Sequence, residues 1–343
     1  MTGMLKSRLK TALRPLLDAA RYLPFALGRP PSPRTVTIDP ISLCNLRCPL
    51  CPTGLGHKSS PGKGILSRDL YLRALDQLPK LQHLNLYNWG ESLQHPEILD
   101  FIGIASQRGI CVHVHSNLSL KKDDAFFEGL VRSGLDSLFI SLDGASNETY
   151  AGYRVGGDFD LVIANIERIQ AAKKRIGSQS PRVIWKFIIH RRNAHEVDEA
   201  RRHAEALDVE FTTRAIGLAD DLVDYDLAAS IDERRAEWLP EDPALRLEEY
   251  RGETRLPPTK KCHQLFQTTV ITPNGNVMPC CYASHPGNAF GNLEESSFDE
   301  IWKGEQYRYS RSLFVRPLAK RAKSSVTKNV CTRCPNYKQR GDV

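Results

Sequence analysis

Cys44-Asn45-Leu46-Arg47-Cys48-Pro49-Leu50-Cys51 decides how this chain is read. Three thiols stand at Cys-x3-Cys-x2-Cys spacing in one compact loop. Thiolates are soft ligands, suited to iron–sulfur clusters and to zinc. A run of three leaves one metal position for another ligand, and an open position permits chemistry. The loop follows the β-type run Thr35-Val36-Thr37-Ile38-Asp39, so it lies where a first strand ends. A structural zinc knuckle is the alternative, with His57 as fourth ligand. Zinc ligands more often come as Cys-x2-4-Cys pairs, which disfavours it.

From Thr35 to about Gly217 strand-like and helix-like stretches alternate. The strands are expected at Thr35–Asp39, Leu81–Tyr87, Ile110–His115, Ser137–Leu142, Val183–Ile189 and Val209–Arg214. The helices are expected near Arg68–Leu78, Pro96–Arg108, Asp123–Arg132, Phe159–Lys174 and Ala194–Leu207. Such alternation implies parallel strands joined by crossover helices, an α/β fold. Six units of this kind form a closed or partial barrel, with function at the C-terminal ends of the strands. The unusual residues fall there. Strand two runs into Asn88-Trp89-Gly90-Glu91-Ser92, strand three into Ser116-Asn117, and strand four into Ser141-Leu142-Asp143-Gly144.

These motifs together resemble the radical S-adenosylmethionine (SAM) superfamily. In that family three Cys bind three irons of a [4Fe-4S] cluster, and SAM chelates the fourth iron through its amino and carboxylate groups. The resemblance implies a partial (β/α)6 barrel, with Cys44, Cys48 and Cys51 as cluster ligands. Trp89-Gly90-Glu91-Ser92 stands where the family has Gly-Gly-Glu-Pro, so Gly90 and Glu91 are implied to receive the SAM amino group. Ser116-Asn117 is similar to the family's Thr-Asn-Gly segment, which implies Asn117 as a SAM contact, and Ser141 or Asp143 is implied at the SAM ribose or methionine end, although Asp143 serves equally as a turn cap. Leu50 replaces the aromatic residue that the family places before its third Cys.

Lys186 is the one charge in the apolar run Val183–Ile189. Pointing inward, it would meet the SAM carboxylate; pointing outward, it would snorkel to solvent. His113 and His115 share one face of strand three and are assigned no role.

Residues 218–258 hold twelve Asp/Glu against five Lys/Arg, and read as an acidic linker or lid. Beyond it stand Cys262, Gly275-x4-Cys280, Cys281 and Cys331-x2-Cys334. Thr272-Pro273-Asn274-Gly275-Asn276-Val277 reads as a hairpin turning at Asn-Gly, which carries Cys280 back towards Cys262. Cys262, Cys280, Cys331 and Cys334 complete an all-cysteine site for zinc or a second cluster. The segment resembles the SPASM/twitch extension of radical SAM enzymes, which carries auxiliary [4Fe-4S] clusters. Two clusters are therefore expected. Cys111 and Cys281 are left over; Cys281 is expected either to pack or to serve as a hydrogen donor.

The chain has 343 residues, 41% of them apolar, and a net charge of +7. Residues 1–35 carry +6 and residues 311–343 carry +8, which leaves the body between them at −7. A nucleic-acid surface on the body is thereby excluded. Four domains are expected: a basic amphipathic segment (1–33), the barrel (34–217), the acidic linker (218–258) and the auxiliary-cluster domain (259–343). The first lies on a membrane surface or packs on the main domain. No apolar run approaches the ~20 residues of a membrane span, and no signal peptide is legible, so a cytoplasmic enzyme is expected.

The resemblance implies reductive cleavage of SAM to a 5′-deoxyadenosyl radical and hydrogen abstraction from a substrate C–H. It implies oxidation of a sugar or aminocyclitol alcohol, with the auxiliary cluster as electron acceptor and a flavodoxin or ferredoxin-type reductant. An epimerase and a peptide-modifying maturase are the other readings.

Overall fold

The computed structural model describes residues 22–25, 27–54, 56, 62–218, 231–247, 262–283, 285–314 and 325–334. His57, residues 1–21 and much of the acidic linker lie outside these. The strands are β1 (Thr35–Ile38), β2 (His83–Asn85), β3 (Cys111–Ser116), β4 (Ser137–Ser141), β5 (Arg182–Ile189), β6 (Glu210–Ala215), β7 (Val270–Ile271), β8 (Asn276–Met278) and β9 (Gly291–Asn292). They form one sheet in the order β6-β5-β4-β3-β2-β1-β7-β8-β9. β1 to β6 are parallel, each beside its sequence neighbour.

Crossover helices separate the parallel strands: α1 (Arg68–Asp76), α2 (Ile98–Gln107), α3 (Asp124–Arg132), α4 (Asn147–Tyr153), α5 (Phe159–Ile176) and α6 (Val197–Ala206). Their starts follow capping chemistry. Ser67, Asp123, Ser146 and Asp158 each accept a backbone N–H in the first turn of the helix that follows. Five of the six stand where the periodicity predicts. α4 is the exception, because seven residues are too few for a helical period to register.

The parallel strands alternate, as their register requires. Val112, Val114, Leu138, Ile140, Val183, Trp185 and Phe187 are buried against the helices. The other face carries His83 and Asn85 on β2, Cys111, His113 and His115 on β3, Phe139 and Ser141 on β4, and Ile184, Lys186 and Ile188 on β5. One face of the sheet is thus an apolar core, and the other a largely polar concave wall.

The C-terminal segment is joined to this sheet. β7 pairs parallel with β1, with Thr37 opposite Val270 and Ile38 opposite Ile271. The expected boundary at 259 is therefore crossed by a continuous hydrogen-bond ladder. Of the remaining helices, α7 (Ile231–Trp238) lies in the linker. The C-terminal segment holds α8 (Gln264–Gln267), α9 (Phe298–Lys303), α10 (Glu305–Phe314) and α11 (Val330–Arg333). α9 opens on a capping box, Ser297 with Glu300. Trp302 donates to the Pro31 carbonyl at 2.9 Å, and Gln77 accepts from the Phe298 N–H at 2.5 Å. Tyr22 and Phe25 meet Phe266 edge-on at 4.9 and 5.0 Å, so the described end of the N-terminal segment packs on the C-terminal one.

The β7–β8 hairpin forms, but its turn is shifted. The Thr272 carbonyl accepts from the Gly275 N–H, and Gly275 takes φ 78° while Asn274 keeps a negative φ. An Asn-Gly type I′ turn needs positive φ at both residues. The loop instead centres on Pro273-Asn274, with left-handed Gly275 closing it.

Candidate functional site

The three-cysteine loop leaves β1 and returns to α1 through a pinched base. Ile41 bridges Ile65, and the Ser42 N–H donates to the Gly64 carbonyl. The loop is anchored inside by Leu46, which is 1% exposed. N–H groups turn towards the sulfurs: that of Leu46 lies 3.4 Å from Cys44 Sγ, and those of Thr53 and Gly54 serve Cys51. Asn117 Nδ2 lies 3.7 Å from Cys44 Sγ, and Arg154 Nη1 lies 3.7 Å from Cys48 Sγ. Burial pushes the Cys44 thiol up to about 12, so a bound cation is needed to hold the thiolate form. Soft ligands, sulfur-directed donors and buried thiols fit an iron–sulfur cluster.

Gly90 and Glu91 lock this loop to the barrel. A Cβ on Gly90 would lie 1.7 Å from the Ile41 carbonyl oxygen, so only glycine admits that strand-to-loop crossing. The Glu91 N–H donates to the Leu43 carbonyl at 2.8 Å. The Glu91 side chain is 2% exposed; Oε1 accepts from Ser116 Oγ at 2.7 Å and the Leu93 N–H at 3.0 Å. Oε2 accepts from the Asn117 N–H at 2.7 Å. The motif thus ties the end of β2 to the end of β3 and to the stem of the cysteine loop.

Asn117 continues the brace. Its amide donates to Asn45 Oδ1 at 3.1 Å, and Asn45 in turn donates to the Ser119 carbonyl at 2.9 Å. Asp143 has no solvent exposure, and both its oxygens are committed. Oδ1 accepts from the Ile188 N–H, and Oδ2 from Nε and Nη2 of Arg154, each at 2.6 Å. Asp143 therefore stands behind Arg154, which it aims at Cys48. Arg154 was not among the residues expected from the sequence. It follows α4, the helix whose period is too short to read.

Lys186 lies on the concave wall beside Ser141, the orientation that a SAM carboxylate partner requires. Burial, with the Arg214 and Arg154 charges, holds its pKa below the usual lysine range. Arg214 lies opposite Ile188 on the same face. Tyr87 stacks on His115 at 3.8 Å between ring centres, and burial holds that imidazole near 3, neutral. Asp39, at the end of β1, is fully buried beneath the loop, and burial raises its carboxyl to about 7. It too was not singled out in the sequence. Asp39 Oδ1, Trp89 Nε1 and Thr53 Oγ1 are buried without hydrogen-bond partners, polar atoms that a bound group at this end would satisfy.

Leu50 packs with Tyr153, Ile216, Leu218, Trp238 and Leu239, an apolar cluster at the end of β6.

The second cysteine set also converges. Burial pushes the Cys262, Cys280 and Cys331 thiols up; Cys280 also feels the charges of Cys281, Cys331 and Cys262, and Cys331 those of Cys262 and Cys334. None of the nine cysteines forms a disulfide. Cys281 is placed between two neighbourhoods. Burial raises it, Arg214 counteracts this, and Cys262 adds to it. The Tyr87 hydroxyl in turn feels the Cys281 sulfur. Cys281 thus interacts with Cys280 and Cys262 on one side and with Tyr87 and Arg214 on the other.

The sequence model of the radical SAM superfamily matches residues 38–204, and that of the SPASM iron–sulfur cluster-binding domain matches residues 262–335. The chain belongs to the radical SAM superfamily and carries a C-terminal SPASM domain. It is 24% identical over 301 residues to the tungsten-containing aldehyde ferredoxin oxidoreductase cofactor-modifying protein of Pyrococcus furiosus, covering 79% of this chain and 81% of that one. It is 23% identical over 325 residues to mycofactocin maturase MftC of Mycobacterium ulcerans, covering 89% and 81%. Among solved structures, Streptococcus suis SuiB bound to S-adenosylmethionine matches with a TM-score of 0.60 at 15% identity, over 82% of this chain and 68% of that one. BtrN in complex with AdoMet and 2-DOIA matches with 0.52 at 15% identity, over 89% and 94%. The protein is a radical SAM enzyme whose cofactors are SAM and [4Fe-4S] clusters. Among the described residues no helix is long and apolar enough to cross a membrane.

Proposed function

We propose that this enzyme oxidises an alcohol carbon of a sugar or aminocyclitol that carries an anionic group. The supporting observation is a pair of cations on the same face of the sheet, Lys186 opposite Ser141 and Arg214 opposite Ile188, with the Arg214 charge felt at both Lys186 and Cys281. Lys186 suits the SAM carboxylate, and Arg214 is left for a phosphate or carboxylate of the substrate. Cys44, Cys48 and Cys51 would hold a cluster that with SAM would supply radical hydrogen abstraction, and Cys262, Cys280, Cys331 and Cys334 would hold a second cluster that would serve as acceptor for the remaining electron. The protein's own part is to hold the geometry and exclude water. Glu91, Asn117 and Gly90 keep the cysteine loop seated on β2 and β3. Asp143 holds Arg154 charged beside Cys48. The hydroxyl proton of the substrate leaves to solvent, which balances the two-electron oxidation. A flavodoxin or ferredoxin is the proposed reductant.

Peptide modification is the second reading, and the maturase relatives support it. Hydrogen return from Cys281, giving an epimerase, is supported by the placement of that thiol near Tyr87 and Arg214. The deciding experiment uses anaerobically reconstituted full chain with SAM, a reductant and a panel of anionic sugars, aminocyclitols and peptides. A ketone formed together with 5′-deoxyadenosine is expected. An inverted product that depends on Cys281 would establish the epimerase, and turnover of peptides alone would establish the maturase. No 5′-deoxyadenosine under any condition would overturn all three.

A further inference from the structure

We propose that the barrel floor carries a zinc site made by His83, Cys111 and His113, separate from both cysteine sets. His83 and Cys111 are direct cross-strand partners on β2 and β3, and His113 stands two residues further along the same face. One ligand atom from each of the three lies within 4.8 Å of the other two. Cys111 Sγ is 3.6 Å from His113 Nε2, and the rings of His83 and His113 stack within 9° of parallel at 6.0 Å. Ligand atoms around a tetrahedral zinc stand about 3.3–3.8 Å apart, given bonds of about 2.0–2.3 Å. Small rotamer changes therefore bring this group to binding distance.

The donor set selects the metal. One thiolate and two imidazoles are nitrogen and sulfur ligands of the kind that zinc prefers, and three protein ligands leave a fourth position for water. The Asp136 carboxylate lies beside both Cys111 and His113, with Oδ2 accepting the Val112 N–H at 2.7 Å. Thiolate and carboxylate together balance a divalent charge. Apart from the Cys111 contact, the protein commits neither ring nitrogen of His113 to a hydrogen bond, and its Nδ1 is buried without a partner. His83 is exposed and Cys111 half-buried, so the metal has a path from solvent.

Position on the strands separates this site from the catalytic end. Cys111 and His113 precede Asn117 by six and four residues, about 13–20 Å at the rise of a strand. They lie towards the N-terminal ends of the strands, the end that serves stability in barrels of this kind. β2 is only three residues long, and a metal bridging His83 to β3 would fasten it where its ladder is shortest.

The test uses the cluster-loaded full chain, so that the other cysteines are occupied. Zinc is titrated against a chromophoric chelator, and the zinc X-ray absorption edge is recorded. One equivalent is expected, with a shell of one sulfur and two imidazole nitrogens. His83→Ala and Cys111→Ser should each weaken binding by roughly 100-fold, at or above the effect of losing an outer-sphere partner. Iron content should not change, and zinc should raise the melting temperature of the parent protein but of neither variant. An all-sulfur shell would place the zinc in a cluster site and overturn the proposal. So would the absence of tight zinc, or unchanged affinity in both variants. His83 is exposed, so His83→Ala tests the ligand set without disturbing the core.

Discussion

At the scale of single residues, two buried carboxyls at the strand ends act through the protein rather than through open space. Glu91 accepts hydrogen bonds from β3 and from its own turn. We expect Glu91→Gln to weaken SAM binding by about 1.5–3 kcal/mol, the usual contribution of a hydrogen bond to a charged group. The loss comes through a loosened cysteine loop, so the iron retained by the Cys44 loop should fall along with SAM affinity. Calorimetric SAM titration and iron analysis of the same sample check it; full SAM affinity would remove Glu91 from the site. Asp39 gives a pH dependence with a definite sign. Burial raises its folded pKa to about 7 from 3.8, so between those values the folded state binds more protons than the unfolded one. Its contribution therefore makes the apoprotein lose stability as pH rises from about 4 to 7. Asp39→Asn, which mimics the protonated form, should be more stable than the parent at pH 8 by roughly 2–4 kcal/mol, at 1.36 kcal/mol per pKa unit. The two should converge only below about pH 4, where the carboxyl is protonated in both the folded and the unfolded state. Urea midpoints at both pH values measure this.

At the scale of elements, the cysteine loop is positioned by its crossing with the end of β2. Gly90→Ala places a Cβ 1.7 Å from the Ile41 carbonyl oxygen, and backbone on both sides leaves it nowhere to go. The loop must shift, and we expect the variant to fold while taking up about half the parent's iron, all of it in the C-terminal set. Ultraviolet–visible and Mössbauer spectra after reconstitution will read this; full iron would mean that the crossing tolerates the displacement. Such effects reach far because a misplacement of about 1 Å at a catalytic group is enough to lower rates sharply. The hairpin shows a second way in which an element is decided locally. Its flanking strands were legible from Ile271 and Val277-Met278. Its turn was not, because Pro273 fixes φ in the range of a type I turn and moves the left-handed residue on to Gly275.

At the scale of the whole molecule, one sheet joins the segment that holds the first cysteine set to the segment that holds the second, because β7 pairs with β1. Seven cysteines divide as three and four, so iron after anaerobic reconstitution should approach eight atoms per chain, about four for each [4Fe-4S] cluster. Replacing Cys44, Cys48 and Cys51 together by Ala should leave about half the iron and abolish SAM cleavage. Zinc in the four-cysteine set would overturn the second half of that count.

The sequence by itself determined the six parallel strands, five of their six crossover helices, the two cysteine sets and the class of enzyme. The strands, helices and cysteine sets rest on patterns along the chain, the period of an apolar face or the spacing of thiols, and the class of enzyme rests on the resemblance of those motifs to the radical SAM superfamily. Only the tertiary structure decided what those residues touch. Asp143 aims Arg154 at Cys48 across a helix too short to show a period. Glu91 is spent on β3, and Cys281 lies towards Tyr87 and Arg214. His83 meets Cys111 and His113 only because two strands nearly thirty residues apart pair in that register. Contacts of this kind are set by register and packing between distant segments, and no local pattern in one chain encodes them.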